Sequence, residues 1–182
     1  MPSDFIILLK GCRAYERKAQ RQMVDLLAPF LLSVCRRYEG VHAAAQDLMQ
    51  EALILIFNHI GDCQPEEKPF MGWCKRIAVN VCLEKFRKKN IPLECIDHPE
   101  INNSLAPEIF NQLGVEEILR SLNRLPENQR LVFNMFVIDG YSHAEISEML
   151  HIKESNARTL LTRARASLQN ILTAKEILSH EY

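Results

Sequence analysis

No Cys-x-x-Cys pair, no glycine-rich phosphate loop and no apolar run of bilayer length occurs in this sequence of 182 residues. Each absence excludes a class of function. A membrane-crossing helix takes about 18 or more consecutive apolar residues, and the most apolar runs, Leu26 to Val34 and Leu131 to Ile138, are far shorter. The opening Met1-Pro2-Ser3-Asp4-Phe5 lacks the basic flank of a secretory signal. The expected location is the cytoplasm. In that reducing compartment Cys12, Cys35, Cys63, Cys74, Cys82 and Cys95, without metal-ligand spacing, read as buried thiols that pack as small hydrophobes. No metal and no cofactor is expected. The glycines Gly11, Gly40, Gly61, Gly72, Gly114 and Gly140 are isolated, so neither a P-loop nor a dinucleotide fingerprint can be assembled. His143-Ala144-Glu145 has the H-x-E form of a nucleobase deaminase, but no P-C-x-x-C accompanies it. Nothing points to a nucleophile triad or a small-molecule substrate, and the chain is expected not to be an enzyme.

Aromatic residues are also few, at 7%, and glycine and proline are sparse. That favours helix over sheet. Hydrophobic residues make up 47% of the chain, enough for a buried core. The length suits one ordinary domain or two small ones.

The net charge of −1 argues on its own against a polyanion ligand, but its distribution does not. Met71 to Asn90 carries Lys75, Arg76, Lys85, Arg87, Lys88 and Lys89 against Glu84 alone. Ile91 to Leu119 carries Glu94, Asp97, Glu100, Glu108, Glu116 and Glu117 with no Lys or Arg. His151 to Lys175 is basic again, with Lys153, Arg158, Arg163, Arg165 and Lys175 against Glu154. Nucleic-acid binding follows such local clusters and not the whole-chain sum.

Helical spacing organises the rest. Ala45, Leu48, Met49, Ala52, Leu53, Ile56, Phe57 and Ile60 mark one face of an amphipathic helix over 43–60, ended by Gly61. Arg13 to Tyr38 also reads as helix, with a break or kink expected at Pro29. Pro65 and Pro69 bracket a loop, and Phe70 to Lys89 reads as a helix buried at its start and basic at its end. Residues 91–112, with Pro92, Pro99, Pro107, Asn102, Asn103 and Ser104, have the composition of a linker. Helices are then expected over Gly114 to Leu125 and, beyond Pro126 at a first helical position, over Arg130 to Ile138, closed by Asp139-Gly140. The fold class is therefore all-α: two small helical domains joined by an acidic flexible linker.

The sharpest local signature starts at Ser142. Ser142-His143-Ala144-Glu145 is a capping box, and Tyr141 and Ile146 occupy the staple positions around it. The helix so started runs to about Leu150, turns at His151-Ile152, and is followed by a second helix from about Glu154 to Leu172. Ala157, Leu161, Ala164 and Leu168 form its apolar stripe, with Leu160 at the edge, while Ser155, Asn156, Arg158, Thr159, Thr162 and Arg163 occupy the other face. Two helices joined tightly, the second polar and basic outward, make a helix-turn-helix. Arg can bond guanine bidentately, Asn can pair with adenine, and Ser or Thr can reach phosphate.

Taken together these segments resemble the extracytoplasmic-function (ECF) group of bacterial RNA polymerase sigma factors over nearly the whole chain. Asp47-Leu48-Met49-Gln50-Glu51 is similar to the family's D-L-x-Q-E motif. Phe70 to Asn80 resembles its F-x-x-W-x-x-R-I-A-x-N run, and Glu84 to Lys89 its basic tail. Leu125 to Phe133 and Gly140 to Arg165 resemble the domain that reads the −35 promoter element.

The resemblance implies two domains and a linker: 1–92 as sigma region 2, 93–112 as linker and 113–182 as sigma region 4. It implies polymerase binding by Asp47, Leu48, Gln50 and Glu51. It implies contacts to the melted −10 region by Trp73, Arg76, Asn80, Lys85, Arg87, Lys88 and Lys89, and to the −35 element by Lys153, Ser155, Asn156, Arg158, Thr159 and Arg163. Trp73 is either core or a stacking ring, and Asn80 either a satisfied buried amide or a base contact. The acidic linker is either a solvated tether or a mimic of nucleic acid in the polymerase's RNA channel. Leu160 stands where the family often has Arg or Gln, Lys153 where it often has Ser or Thr, and His151 where Gly is common. The implied partners are core RNA polymerase, promoter DNA and an anti-sigma protein, often membrane-bound in this group. The alternative is a stand-alone helix-turn-helix transcriptional regulator, which would need a ligand or phospho-acceptor domain in the first half.

Overall fold

The computed structural model describes residues 2–62, 67–89 and 115–179. The chain divides into two compact units, Met1–Lys89 and Asn90–Tyr182. The expected acidic linker over 93–112 lies outside the described residues, as do Cys63 and Cys95.

The first unit holds α1 (Pro2–Arg13), α2 (Arg17–Tyr38), α3 (His42–Asn58) and α4 (Glu67–Lys88). Helix α2 is central to it and packs against the other three. Its inward residues, Ala19, Met23, Leu27, Leu31, Val34, Cys35 and Tyr38, recur every three or four positions, so one stripe faces the core along its length. Phe70 of α4 is fully buried and meets Phe5 of α1 with ring centroids 5.3 Å apart. Cys12, Cys35, Cys74 and Cys82 are buried free thiols, packed as the sequence suggests for small hydrophobes.

The two prolines act differently from expectation. The chain does not break at Pro29, which lies inside α2. Pro29 and Asp25, the residue whose carbonyl loses its helical donor, are both exposed, so water can take the missing N–H's place. The break falls earlier, at Ala14 to Glu16, where Tyr15 adopts φ 59° and the Glu16 N–H bonds back to the Gly11 carbonyl at 3.0 Å. Pro69 likewise does not bracket a loop. It stands third in α4, within the first turn, where the N–H groups have no helical acceptor and a proline removes no bond.

Gly11 shows how closely α1 and α2 approach. A Cβ there would lie 2.7 Å from the Ala19 Cβ, nearer than two carbons can rest. Gly11→Ala gains helix propensity of up to about 1 kcal/mol but must push the helices apart, an overpacking cost of about 1–3 kcal/mol. The expected result is a net loss, read as a lower urea midpoint at unchanged slope.

The second unit holds α5 (Val115–Asn123), α6 (Glu127–Phe133), α7 (His143–Leu150) and α8 (Glu154–Ser179). Pro126 stands one residue ahead of α6 and not inside it, and α6 begins earlier than expected. Over Asn134–Ile138 the helix widens into a π-helical turn, closed by the Asp139 N–H donating to the Asn134 carbonyl at 2.9 Å. Gly140 then takes φ 80°, a left-handed conformation that suits glycine, and the chain turns into α7. Helix α8 packs on α5, α6 and α7, and its buried Ala157, Leu160, Leu161, Ala164 and Leu168 supply that contact.

Candidate nucleic-acid interface

In the second unit the start of α7 is fixed as its sequence suggests. The Glu145 N–H donates to Ser142 Oγ at 3.2 Å, and the Ser142 N–H donates to Glu145 Oε2 at 2.8 Å. Ile146 is fully buried and Tyr141 half-buried around that box. The turn between α7 and α8 is tied in both directions: the Ile152 N–H donates to the Ser147 carbonyl at 3.1 Å, and Ser147 Oγ donates to the Ile152 carbonyl at 2.7 Å. His151 sits there at φ 55°, a conformation glycine adopts without cost.

These ties set the direction of α8. Lys153, Ser155 and Arg158 are exposed near its start, and Asn156, Thr159 and Arg163 are half-buried. The Thr159 hydroxyl donates to the Ser155 carbonyl at 3.0 Å and the Thr162 hydroxyl to the Arg158 carbonyl at 3.1 Å. Their oxygens keep lone pairs facing outward as acceptors. Arg158 forms an ion pair with Glu154 one turn earlier. Leu160, expected at the stripe's edge, is only 1% exposed. It belongs to the core, because positions 157, 160, 161, 164 and 168 all fall on one helical face.

Beside this surface, His143 stacks on Phe136 with centroids 4.3 Å apart, and the Arg165 guanidinium lies 6.0 Å from the same ring's centre. Burial, then the charge of Arg158, hold the His143 pKa below its ordinary value. The ring is therefore neutral at neutral pH, and the positive charge here is carried by the arginines.

In the first unit two surfaces are built. Asp47, Gln50 and Glu51 are exposed on α3, but Leu48 is 4% exposed and packs inward with Ala45, Ala52 and Ile56. Leu48, expected among the polymerase contacts, is thus held in the core of its own unit. Ile54, 61% exposed, lies one helical turn from Glu51 on the outward side of α3. Sequence reasoning missed Ile54, whose signal is an apolar residue out of register with the core stripe.

On α4, residues 73, 76, 80 and 87 follow three- and four-residue steps and share one helical stripe. Arg76, Asn80 and Arg87 are exposed and Trp73 is half-buried, its ring 5.7 Å from Phe70 by centroid. Asn80 is thus not a buried amide, and Trp73 combines a core edge with an outward one. Lys85 and Lys89 lie on another side of α4, both against Glu39 Oε2, at 3.2 and 3.5 Å. Lys88 pairs with Glu84 at 3.1 Å. Burial would raise the Glu39 pKa. The hydrogen bonds from Lys85 and the Val41 N–H, with the charges of Lys89 and Lys85, outweigh it and hold the carboxyl below its ordinary value. Glu39 was also missed, since nothing local marks it.

Two small helical units, one ending in a basic outward helix and one holding a helix-turn-helix, define a two-module protein of the nucleic-acid-binding class. The comparisons make this specific. Residues 23–91 match Sigma-70 region 2 and residues 115–168 match Sigma-70, region 4. The ECF RNA polymerase sigma factor SigW of Bacillus subtilis is 26% identical over 179 residues, covering 90% of this chain and 94% of that protein. The "Probable RNA polymerase sigma factor" of Haemophilus influenzae is 32% identical over 152 residues, covering 72% and 78%. In fold, the sigma factor RpoE of Bartonella quintana, solved in complex with the anti-sigma factor NepR, aligns with TM-score 0.50 at 21% identity, over 84% of this chain and 96% of that one.

The chain belongs to the ECF group of RNA polymerase sigma factors. It is a transcription-initiation factor that directs RNA polymerase to promoters, not an enzyme, and the stand-alone regulator is set aside.

Proposed function

We propose that three surfaces divide the sigma factor's work. The α3 face of Asp47, Gln50, Glu51 and Ile54 binds core polymerase, the exposed apolar side chain supplying burial and the polar triplet register. The α4 stripe of Trp73, Arg76, Asn80 and Arg87, flanked by Lys85, Lys88 and Lys89, takes the melted −10 strand. Cations there follow the backbone, while an unstacked base meets Asn80 or the outward edge of Trp73. Helix α8 enters the major groove at the −35 element with Lys153, Ser155, Asn156, Arg158, Thr159 and Arg163.

The observation that carries this reading is the outward alignment of residues 73, 76, 80 and 87 on α4. An aromatic edge, an amide and two guanidinium groups on one stripe suit a splayed single strand. The test is the fluorescence of a base analogue placed in the −10 element, followed as holoenzyme opens the promoter. Arg76→Ala and Asn80→Ala should each lower the opened fraction several-fold while closed-complex formation stays unchanged. Opening at the wild-type level in both would remove α4 from the −10 contact.

An anti-sigma protein is proposed as a further partner, since the Bartonella quintana relative is solved with one. The cytoplasm, where polymerase works, is the proposed location.

A further inference from the structure

The six cations of the α4 tract are not equivalent. Lys85 and Lys89 are one helical turn apart, and like charges at that spacing repel. A single oxygen from another helix end lies between them: Glu39 Oε2, 3.2 Å from Lys85 Nζ and 3.5 Å from Lys89 Nζ. The other Glu39 oxygen accepts the Val41 N–H at 3.4 Å, so the carboxylate is tied to the α2–α3 connection. Its side chain is 11% exposed, whereas the lysines are 35% and 36% exposed. The acid is the enclosed partner and the lysines are the ones open to solvent. Arg76 and Arg87, on the outward stripe, make no ion pair among the described residues.

We propose that Glu39 is a built-in competitor for the nucleic-acid backbone, holding Lys85 and Lys89 until phosphates of a bound strand displace it. This rests on the reading of α4 as the single-strand contact. Sequence-independent affinity depends on how many phosphates the cations neutralise. Two lysines bound to an internal carboxylate contribute less to it, because every phosphate they take must replace Glu39. The base-reading groups, Trp73 and Asn80, lose nothing by the arrangement. Glu39 therefore lowers the backbone part of the affinity, and contacts to the bases carry a larger share of what remains.

The test compares wild-type and Glu39→Gln holoenzymes binding a fluorescent oligo-dT strand and a −10 strand across a salt series. The neutral amide keeps the side chain's shape and its acceptor oxygen. Glu39→Gln should raise oligo-dT affinity roughly threefold to tenfold at low salt, the scale of two partly exposed ion pairs. It should also steepen the log–log salt slope by up to about 1.4, two cations at about 0.7 each on a single strand. The −10 strand should gain by a similar factor, since the same carboxylate is displaced in either complex. Glu39→Ala, which also loses the Val41 bond, should give the same slope change whatever it does to the melting temperature. Lys85→Ala/Lys89→Ala should flatten the slope and cancel the effect of Glu39→Gln. If the lysine variant weakens binding but both Glu39 variants keep the wild-type slope and affinity, the role of Glu39 is overturned alone. If the lysine variant binds as wild type, the α4 reading falls and takes this proposal with it.

Discussion

Glu51→Lys should lose core polymerase binding by at least about thirtyfold while leaving the fold intact. Glu51 is exposed on α3, with Asp47 and Gln50 on the same surface and Ile54 one short step further along. No core contact is removed, so stability should change by no more than about 0.5 kcal/mol. At a protein interface the same change has a different scale. Disrupting one partner of a desolvated charge pair costs about 2–5 kcal/mol, much of it from the partner's charge left buried and unpaired, and reversal adds repulsion. Size-exclusion or fluorescence titration with core enzyme reads the loss directly. Ile54→Asp should behave similarly, through burial and not charge, whereas Leu48→Asp should unfold the unit because Leu48 lies in its core. Wild-type affinity in both Glu51→Lys and Ile54→Asp would place the polymerase contact elsewhere.

Arg158→Ala and Arg163→Ala should each weaken holoenzyme binding to a −35-containing duplex without touching polymerase association. A bidentate arginine–base contact discriminates by about 1–3 kcal/mol, which is roughly five- to 150-fold in affinity. The arginines differ in setting. Arg158 is exposed and paired with Glu154 at the first turn of α8, so its removal also frees a carboxylate on the side proposed to face DNA. Arg158→Ala should therefore cost more than the lost contact, and Glu154→Gln should restore part of the difference. Arg163 is half-buried further along the helix, well beyond Glu154, so Glu154→Gln should leave the effect of its removal unchanged. Filter binding at two salt concentrations separates a base contact, whose loss relaxes sequence preference, from a phosphate contact, whose loss reduces the salt slope by about 1.

Local chemistry was the most legible part of the sequence. The Ser142–Glu145 box, the staple at Ile146 and the amphipathic α3 depend on residues within a few positions of one another, and helical spacing exposes them. Errors arose where solvent or a distant element decided the outcome. Pro29 reads as a break or a kink because a proline removes a bond, and the helix runs on through it where water can reach the freed carbonyl. Leu160 reads as an edge residue until α8 packs on α5, α6 and α7 together. The π-helical turn at Asn134–Ile138 has no sequence signature that the spacing of its apolar residues would betray.

The candidate site divides along the same line. Which helices carry it was legible, because basic clusters and outward polar residues are local features. Which residues within a motif face outward was less so: Leu48 lies within the same motif as Asp47 and Gln50 yet points into the core. Glu39 meeting Lys85 and Lys89 was invisible, since the partners are far apart in sequence and only the packing of α2 against α4 joins them.

Run-off transcription from a defined promoter, with purified chain and core polymerase added separately and together, tests the central claim most directly. The account predicts a discrete transcript only when both are present, lost on Glu51→Lys and strongly reduced on Arg158→Ala/Arg163→Ala. Tight, sequence-selective promoter binding by the chain alone, with no transcript and no stable association with core enzyme, would contradict it.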